Sequence, residues 1–290
     1  MRKIAWWLLV LGFQLSLLGW AQFPRTLTDD LGRSITLKDA PQRIVTMLPS
    51  ATETLCAMNA CGRLVGVDNF SDFPEQVRRL PKMGGLINPN LEAIVALKPD
   101  LVIVSVYGKL HEGLERAGVA SFAVRPETYQ DIFRVTRLLG QVLGQEAQAE
   151  RVIARIQQEV YAVESKAAKS TERPTVYYEI DPTPFTVGPD SFIGVLITKA
   201  RGQNVIPKEL GLFPKISPEL VVQKNPEVIV LTHPGAADLP RRAGWSNLAA
   251  IRNKRVCAFT GEQNNLLSRP GPRVAQGLQL LVNCFHPGLR

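Results

Sequence analysis

The side chains of this 290-residue chain best suited to gripping another molecule are aromatic rings set just after apolar runs. Asp68-Asn69-Phe70-Ser71-Asp72-Phe73-Pro74 follows Leu64-Val65-Gly66-Val67, and Val106-Tyr107-Gly108 follows Leu101 to Ser105. In the second half, Pro184-Phe185-Thr186-Val187-Gly188 and Leu212-Phe213-Pro214 offer the same kind of segment. Rings supply contact area and a few donors set orientation, which is how large, flat, partly apolar ligands are held. Core packing is the ordinary fate of about half of such phenylalanines; their shared position after strands is what points to a site. A polar, loop-like stretch from Glu262 to Arg273 leads into the last helix and carries Asn265, Leu266 and Arg269. Pro270 and Pro272 pin Arg269, and a cation at a helix start opposes the helix dipole. Arg269 is therefore expected to point into a cleft and meet an acceptor on a ligand.

Bond-making chemistry has no comparable support. The motifs G-x-S-x-G, G-x-x-x-x-G-K, G-x-G-x-x-G and H-E-x-x-H are all missing, so no catalytic residue is nominated and an enzyme is not expected. The three histidines, His111, His233 and His286, are scattered, whereas a transition-metal site needs several histidines and carboxylates converging. His233 stands where open α/β sheets place ligands, but a lone histidine there is more often a loop residue. No metal and no resident cofactor are expected. Of the net charge of +8, Arg2 and Lys3 supply two positives and residues 173–290 the rest, with fourteen basic groups against eight acidic. No nucleic-acid module accompanies it. It reads first as a solvated basic face, and second as a surface for an anionic ligand or lipid headgroups.

The elements that position these residues are written twice. Asn90-Leu91-Glu92-Ala93-Ile94-Val95-Ala96-Leu97-Lys98-Pro99-Asp100 and Ser217-Pro218-Glu219-Leu220-Val221-Val222-Gln223-Lys224-Asn225-Pro226-Glu227 both run into apolar strands. In each, an acid opens a short amphipathic helix and a proline ends it, Glu219 following Glu92 and Pro226 following Pro99 at one common offset. A duplicated helix–proline–strand unit implies two like lobes, and two lobes make a cleft. Strands are expected at 44–48, 64–67, 101–104 and 119–124, then at 175–180, 228–232 and 256–259. Helices are expected from Pro49 to about Asn59, with Ser50 and Glu53 as a capping box, at 191–200 and at 273–284. Between the halves the pattern turns helical from Tyr129, is interrupted at Gly144, and resumes from Glu146 to about Lys166, a rod of roughly 30 Å. The expected fold is α/β: two Rossmann-like lobes with mostly parallel sheets, a long connecting α-helix and a ligand cleft between the lobes. The divisions are a signal peptide at 1–21, an N-terminal lobe at 22–127, a helical connector at 128–172 and a C-terminal lobe at 173–290. A helical connector has few soft hinges, so relative motion should be small.

Arg2-Lys3, the apolar run from Ile4 to Leu18 and the small residues around Gly19-Trp20-Ala21 read as a cleavable export signal. No cysteine stands near the cleavage point, so a lipoprotein is not expected. Export suits disulfides. Cys56 and Cys61 are close enough to pair, and Cys257 and Cys284 suggest a staple in the second half; four buried thiols are the alternative.

Taken together, the export signal, Pro49-Ser50-Ala51-Thr52-Glu53, the segment from Leu64 to Pro74, the run from Asn90 to Val104, the long helix, Pro184 to Gly188 and Ser268 to Arg273 resemble the helical-backbone (class III) periplasmic substrate-binding proteins of ABC importers, within them most closely the periplasmic cobalamin-binding proteins. The likeness spans roughly residues 41–285. It implies a non-enzymatic, monomeric periplasmic protein that captures cobalamin or another corrinoid and delivers it to an inner-membrane permease dimer. A ferric siderophore or haem carrier is the alternative in the same fold, and a two-lobed α/β enzyme the alternative of another class. Ligand contacts are expected at Phe70, Asp72, Phe73, Gly85, Leu86, Tyr107, Phe185, Phe213, Glu262, Asn265, Leu266 and Arg269; the resemblance itself implies Phe70, Phe185, Phe213 and the loop from Glu262 to Arg269, with Glu262 or Asn265 beside Arg269. It also implies that Glu92 and Glu219, one per lobe, meet arginines of the permease. The family's tryptophans near Gly85-Leu86 and near Tyr107 are absent from this chain.

Overall fold

The computed structural model describes residues 23–289, so the expected signal segment lies outside the described residues. Two short strands with alternating exposure, β1 (Arg25–Thr28) and β2 (Ser34–Leu37), form an antiparallel hairpin. Its turn is closed by Asp29, whose carboxylate accepts from the amides of Leu31 and Arg33. Neither strand was expected, because runs this short and half-exposed carry little periodic signal.

The first sheet is built from β3 (Ile44–Thr46), β4 (Leu64–Val67), β5 (Leu101–Ser105) and β6 (Ser121–Val124), all parallel in the order β4-β3-β5-β6. Its crossovers contain α1 (Pro49–Ala57), α2 (Leu91–Ala96) and α3 (Leu110–Arg116). Two antiparallel helices follow, α4 (Tyr129–Leu143) and α5 (Glu146–Ala167). Thr128 and Asp131 cap α4 reciprocally, and Gly144 ends it at a φ of +68°, a left-handed conformation that glycine adopts without strain.

The second sheet has β7 (Thr175–Asp181) at its centre, then β8 (Phe185–Thr186), β9 (Gln203–Asn204), β10 (Val228–Leu231) and β11 (Val256–Ala258). Its order is β11-β10-β7-β8, with β9 beside the start of β7; β8 alone is antiparallel. Its helices are α6 (Phe192–Lys199), α7 (Pro218–Lys224), α8 (Ala249–Arg252), α9 (Glu262–Ser268) and α10 (Val274–Phe285). The stretch read as loop from Glu262 thus contains a helix: Leu267 is fully buried and anchors it, and Pro270 follows its end.

The duplicated unit keeps its chemistry in three dimensions. Asn90 caps α2 and Ser217 caps α7, each side chain accepting from the amide three residues on, and Ile94 and Val221 are the buried counterparts. Both sheets alternate between two interiors, as parallel strands covered on both faces must. Val45, Val102 and Val104 face a small cluster with Ile94 and Leu114; Tyr177, Ile229 and Leu231 face another with Val221 and Trp245. The opposite faces share one interior: Ile44, Leu101, Ile103 and Phe122 of the first sheet join Val176, Tyr178, Val228 and Val230 of the second through α4, α5 and α10.

The expected capping box at α1 does not form. Pro49 already occupies the first turn, Leu48 is the residue preceding the helix and no side chain caps it. Glu53 is turned instead toward the second half of the chain. Disulfides join Cys56 to Cys61 and Cys257 to Cys284. The second closes a loop with a sequence separation of 27, fastening edge strand β11 to α10; in chain-entropy terms that contributes about 3–4 kcal/mol.

Candidate ligand-binding site

Every segment that leaves the first sheet at its C-terminal edge contributes to one open cavity of about 410 Å³. Leu48, Pro49 and Ser50 follow β3, Phe70 follows β4, Ser105 and Tyr107 end β5, and Val124, Arg125 and Pro126 end β6. The opposite wall comes from α9 and the turn after it: Asn264, Asn265, Ser268, Arg269 and Pro270. Carboxyl ends of parallel strands are where open α/β sheets hold ligands. Phe70 and Tyr107 stand at this cavity 66 % and 64 % exposed. Two large rings held in water together forgo roughly 3–6 kcal/mol of burial, which a bound ligand would recover.

The loop that presents Phe70 is fixed from below. Asp68 is buried and accepts from the Phe70 amide and the Ser71 hydroxyl; Ser71 joins Thr52 and Thr46 in a chain of buried hydroxyls. Burial pushes the Asp68 carboxyl above the usual aspartate value, despite the opposing hydrogen bond from Ser71. Phe70 projects from a braced backbone.

Beneath the cavity a buried ionic cluster joins the two halves. Glu53, only 3 % exposed, accepts at Oε1 from Arg269 Nη1 (2.8 Å) and Arg273 Nη2 (2.7 Å), and at Oε2 from Arg273 Nε (2.8 Å). Arg269 Nη1 also donates to Asp72 Oδ1 (2.7 Å), its Nη2 to the Phe70 carbonyl (2.8 Å), and Asn265 Nδ2 donates to Asp72 Oδ2 (3.2 Å). Arg273 pairs with Glu262 as well, and its guanidinium lies 3.9 Å over the Phe73 ring. Burial alone would lower the Arg273 pKa; the hydrogen bonds and charges of Glu53 and then Glu262 reverse this and raise it.

The expected contacts therefore divide. Phe70, Tyr107, Asn265 and Arg269 come together at the cavity, but Arg269 is 8 % exposed and both its terminal nitrogens are taken by protein acceptors rather than left for a ligand. Its acidic partners are Glu53 and Asp72; Glu262 serves Arg273 instead. Gly85 and Leu86 line an adjoining crevice with Ser105, where a Cβ on Gly85 would sit 3.5 Å from the Phe70 ring. Phe73 lies on the far side of the ionic cluster, in a rear cavity of about 310 Å³ with Arg155 and Glu159. Leu266 is half-buried on α9, Phe213 packs against the shared interior and Phe185 is on β8; none of the three lines the cavity. His233 is engaged by buried Glu179, which also receives Tyr177 and both terminal nitrogens of Arg242. Sequence reasoning passed over Glu53, Arg125, Asn264, Ser268 and Arg273. Arg125 was findable, since it is the residue immediately after β6.

Glu92 and Glu219 sit toward the C-terminal strand edges of their sheets. Arg43, entering β3, donates to the Leu97 carbonyl at the far end of α2, so the first turn of α2 lies by the strand C-termini. In the second half the Ala250 amide bonds Pro226 just after α7, placing Glu219 at the equivalent edge. Both are exposed.

Two mostly parallel sheets sharing one interior, with a ring-lined cavity between the strand ends of the first and α9 of the second half, define a bilobal solute-binding protein. The chain belongs to the periplasmic binding protein family, whose sequence profile matches residues 44–262. A cobalamin-binding protein of Halobacterium salinarum is 31 % identical over 278 residues, covering 91 % of this chain and 74 % of that one. An uncharacterized ABC transporter substrate-binding lipoprotein, YvrC of Bacillus subtilis, is 27 % identical over 276 residues, 91 % of this chain and 86 % of that one. Among solved structures, the periplasmic heme-binding protein RhuT of Roseiflexus superposes with a TM-score of 0.74 at 25 % identity, covering 86 % of this chain and 99 % of that one. The chain is thus a substrate-binding protein of an ABC importer.

Proposed function

We propose that the ligand is cobalamin or a related corrinoid, captured between the lobes and released to an inner-membrane permease without any bond being made or broken. The observation that carries this reading is the pair of exposed rings, Phe70 and Tyr107, flanking an open cavity of about 410 Å³ with small amide and hydroxyl groups from Asn264, Asn265 and Ser268 opposite. A macrocycle rimmed with amides matches rings on one side and neutral donors and acceptors on the other. The cobalamin-binding relative of Halobacterium salinarum supports the same choice. A haem or ferric chelate carrier is the second reading, favoured by the cationic Arg125 in the cavity wall and by the likeness to RhuT.

The proposal includes docking to the permease through Glu92 and Glu219, a monomeric protein, and the division into lobes at 22–127 and 173–290 with 128–172 between them. It also includes free export to the periplasm. The Bacillus subtilis relative is named a lipoprotein, whereas the first cysteine of this chain is Cys56, inside α1.

Titrating purified protein with cobalamin, cobinamide, haem and a ferric hydroxamate tests the ligand. The expected result is a one-to-one coloured complex with a corrinoid. Saturable binding of haem or the ferric chelate alone would overturn the corrinoid reading in favour of the second.

A further inference from the structure

The cavity wall carries two positive charges and no carboxylate. Arg269 is already neutralised, as described. Arg125 is only loosely paired: its side chain is 52 % exposed, and its ion pair with Glu127 is a long one, 3.7 Å from Nε. Every other acid around the cavity is committed elsewhere. Asp30 holds the Arg134 guanidinium through both oxygens, at 2.6 and 3.1 Å, and receives the Arg125 amide, not its side chain. Asp131 receives Arg134 Nε and caps α4. Asp72 is taken by Arg269 and Asn265, and Asp68 by Ser71 and the Phe70 amide. The backbone of Arg125 is pinned at both ends, its amide to Asp30 and its carbonyl to Arg134. The backbone is therefore held at a fixed point on the rim of the cavity that Phe70 and Tyr107 also line, and the guanidinium reaches from it with donors to spare.

We propose that Arg125 is a specificity-determining residue that selects, among flat macrocyclic ligands, those carrying an anionic oxygen group at the periphery. The inference rests on the reading of this cavity as the ligand site, but not on which macrocycle fills it. A half-exposed guanidinium whose one ion pair is a long contact at Nε can give a charge-assisted contact to a phosphodiester or a carboxylate. An uncharged edge gains nothing equivalent there. The two sources of such an anion are the phosphodiester of a corrinoid's nucleotide loop and the carboxylates of a porphyrin.

Two matched pairs separate them: cobalamin against cobinamide, which lacks the phosphodiester, and haem against its dimethyl ester. Wild-type protein is expected to prefer the anionic member of the pair it binds. Arg125→Gln should weaken that member by about 10- to 100-fold, leave the uncharged member within about twofold, and abolish the salt dependence of binding; Arg125→Lys should retain most of the preference. Equal losses for both members would make the residue a packing element and overturn the inference. So would no loss, or a wild-type preference for the uncharged member. Failure of wild-type protein to bind any of the four compounds overturns the ligand reading and this inference together, whereas binding that ignores Arg125 overturns this inference alone. The exposed side chain makes no structural hydrogen bond, so the fold of Arg125→Gln, checked by its unfolding midpoint, is expected to match wild type.

Discussion

Glu53→Ala is expected to lower the unfolding free energy by about 3–5 kcal/mol, the cost of leaving buried cations without their counter-charge. The carboxylate receives three hydrogen bonds from Arg269 and Arg273, both nine-tenths buried or close to it. Asp72 and Glu262 remain as partial partners for the two arginines, so the loss should fall within that range and not beyond it. Glu53→Gln keeps an acceptor without the charge and should fall between wild type and alanine. A triple change, Glu53→Gln with Arg269→Met and Arg273→Met, is expected to cost less than Glu53→Ala alone, because the charges that lose partners, Asp72 and Glu262, are partly exposed rather than buried. Urea denaturation at fixed pH measures all three. A Glu53→Ala loss below about 1 kcal/mol would place the cluster among exposed pairs in worth, and the interpretation of it as the fastening between lobes would fall. Because Arg269 also grips the Phe70 carbonyl, the same variant should bind ligand more weakly even at temperatures where it remains folded.

The second large effect is expected in transport. Glu92→Ala combined with Glu219→Ala should leave ligand affinity within about twofold and the melting temperature unchanged, since each carboxylate is exposed at the first turn of a short helix. Uptake through the cognate importer should fall by about 10- to 100-fold, the cost of stripping both halves of a two-point charge match from an interface. Single variants should be intermediate, and high salt should mimic the double variant in binding to the detergent-solubilised permease. Lost ligand affinity would instead mean that the glutamates belong to the binding site; undiminished uptake would remove them from docking altogether.

Periodicity made the framework legible in the sequence. The run Leu101 to Val104 and its counterpart Val228 to Leu231 read as buried strands because parallel sheets covered on both faces need continuous apolar β-branched residues. The helix break at Gly144 was visible for a backbone reason that glycine announces by type. The aromatic positions Phe70 and Tyr107 were legible because strand ends are the natural place for a site. What escaped were long-range pairings. Ser50 and Glu53 have the spacing of a capping box, and nothing local says that an arginine 216 residues away claims Glu53. Arg269 is legible as a positioned cation, pinned by Pro270 and Pro272 where the helix dipole disfavours it, but its protein acceptors Glu53, Asp72 and the Phe70 carbonyl lie far off in sequence. Phe185 and Phe213 share the pattern of the site rings, yet packing decides their surroundings.

The common apolar seam through α4, α5 and α10 has a further consequence for how this molecule is inherited and handled. A half cut away from its companion would expose the inner face of its sheet, so shuffling one lobe between relatives means transplanting the matching half of the seam as well. Ligand preference can drift cheaply at the rim, through residues such as Arg125, Asn264 and Ser268, while the joint between the halves changes only in concert.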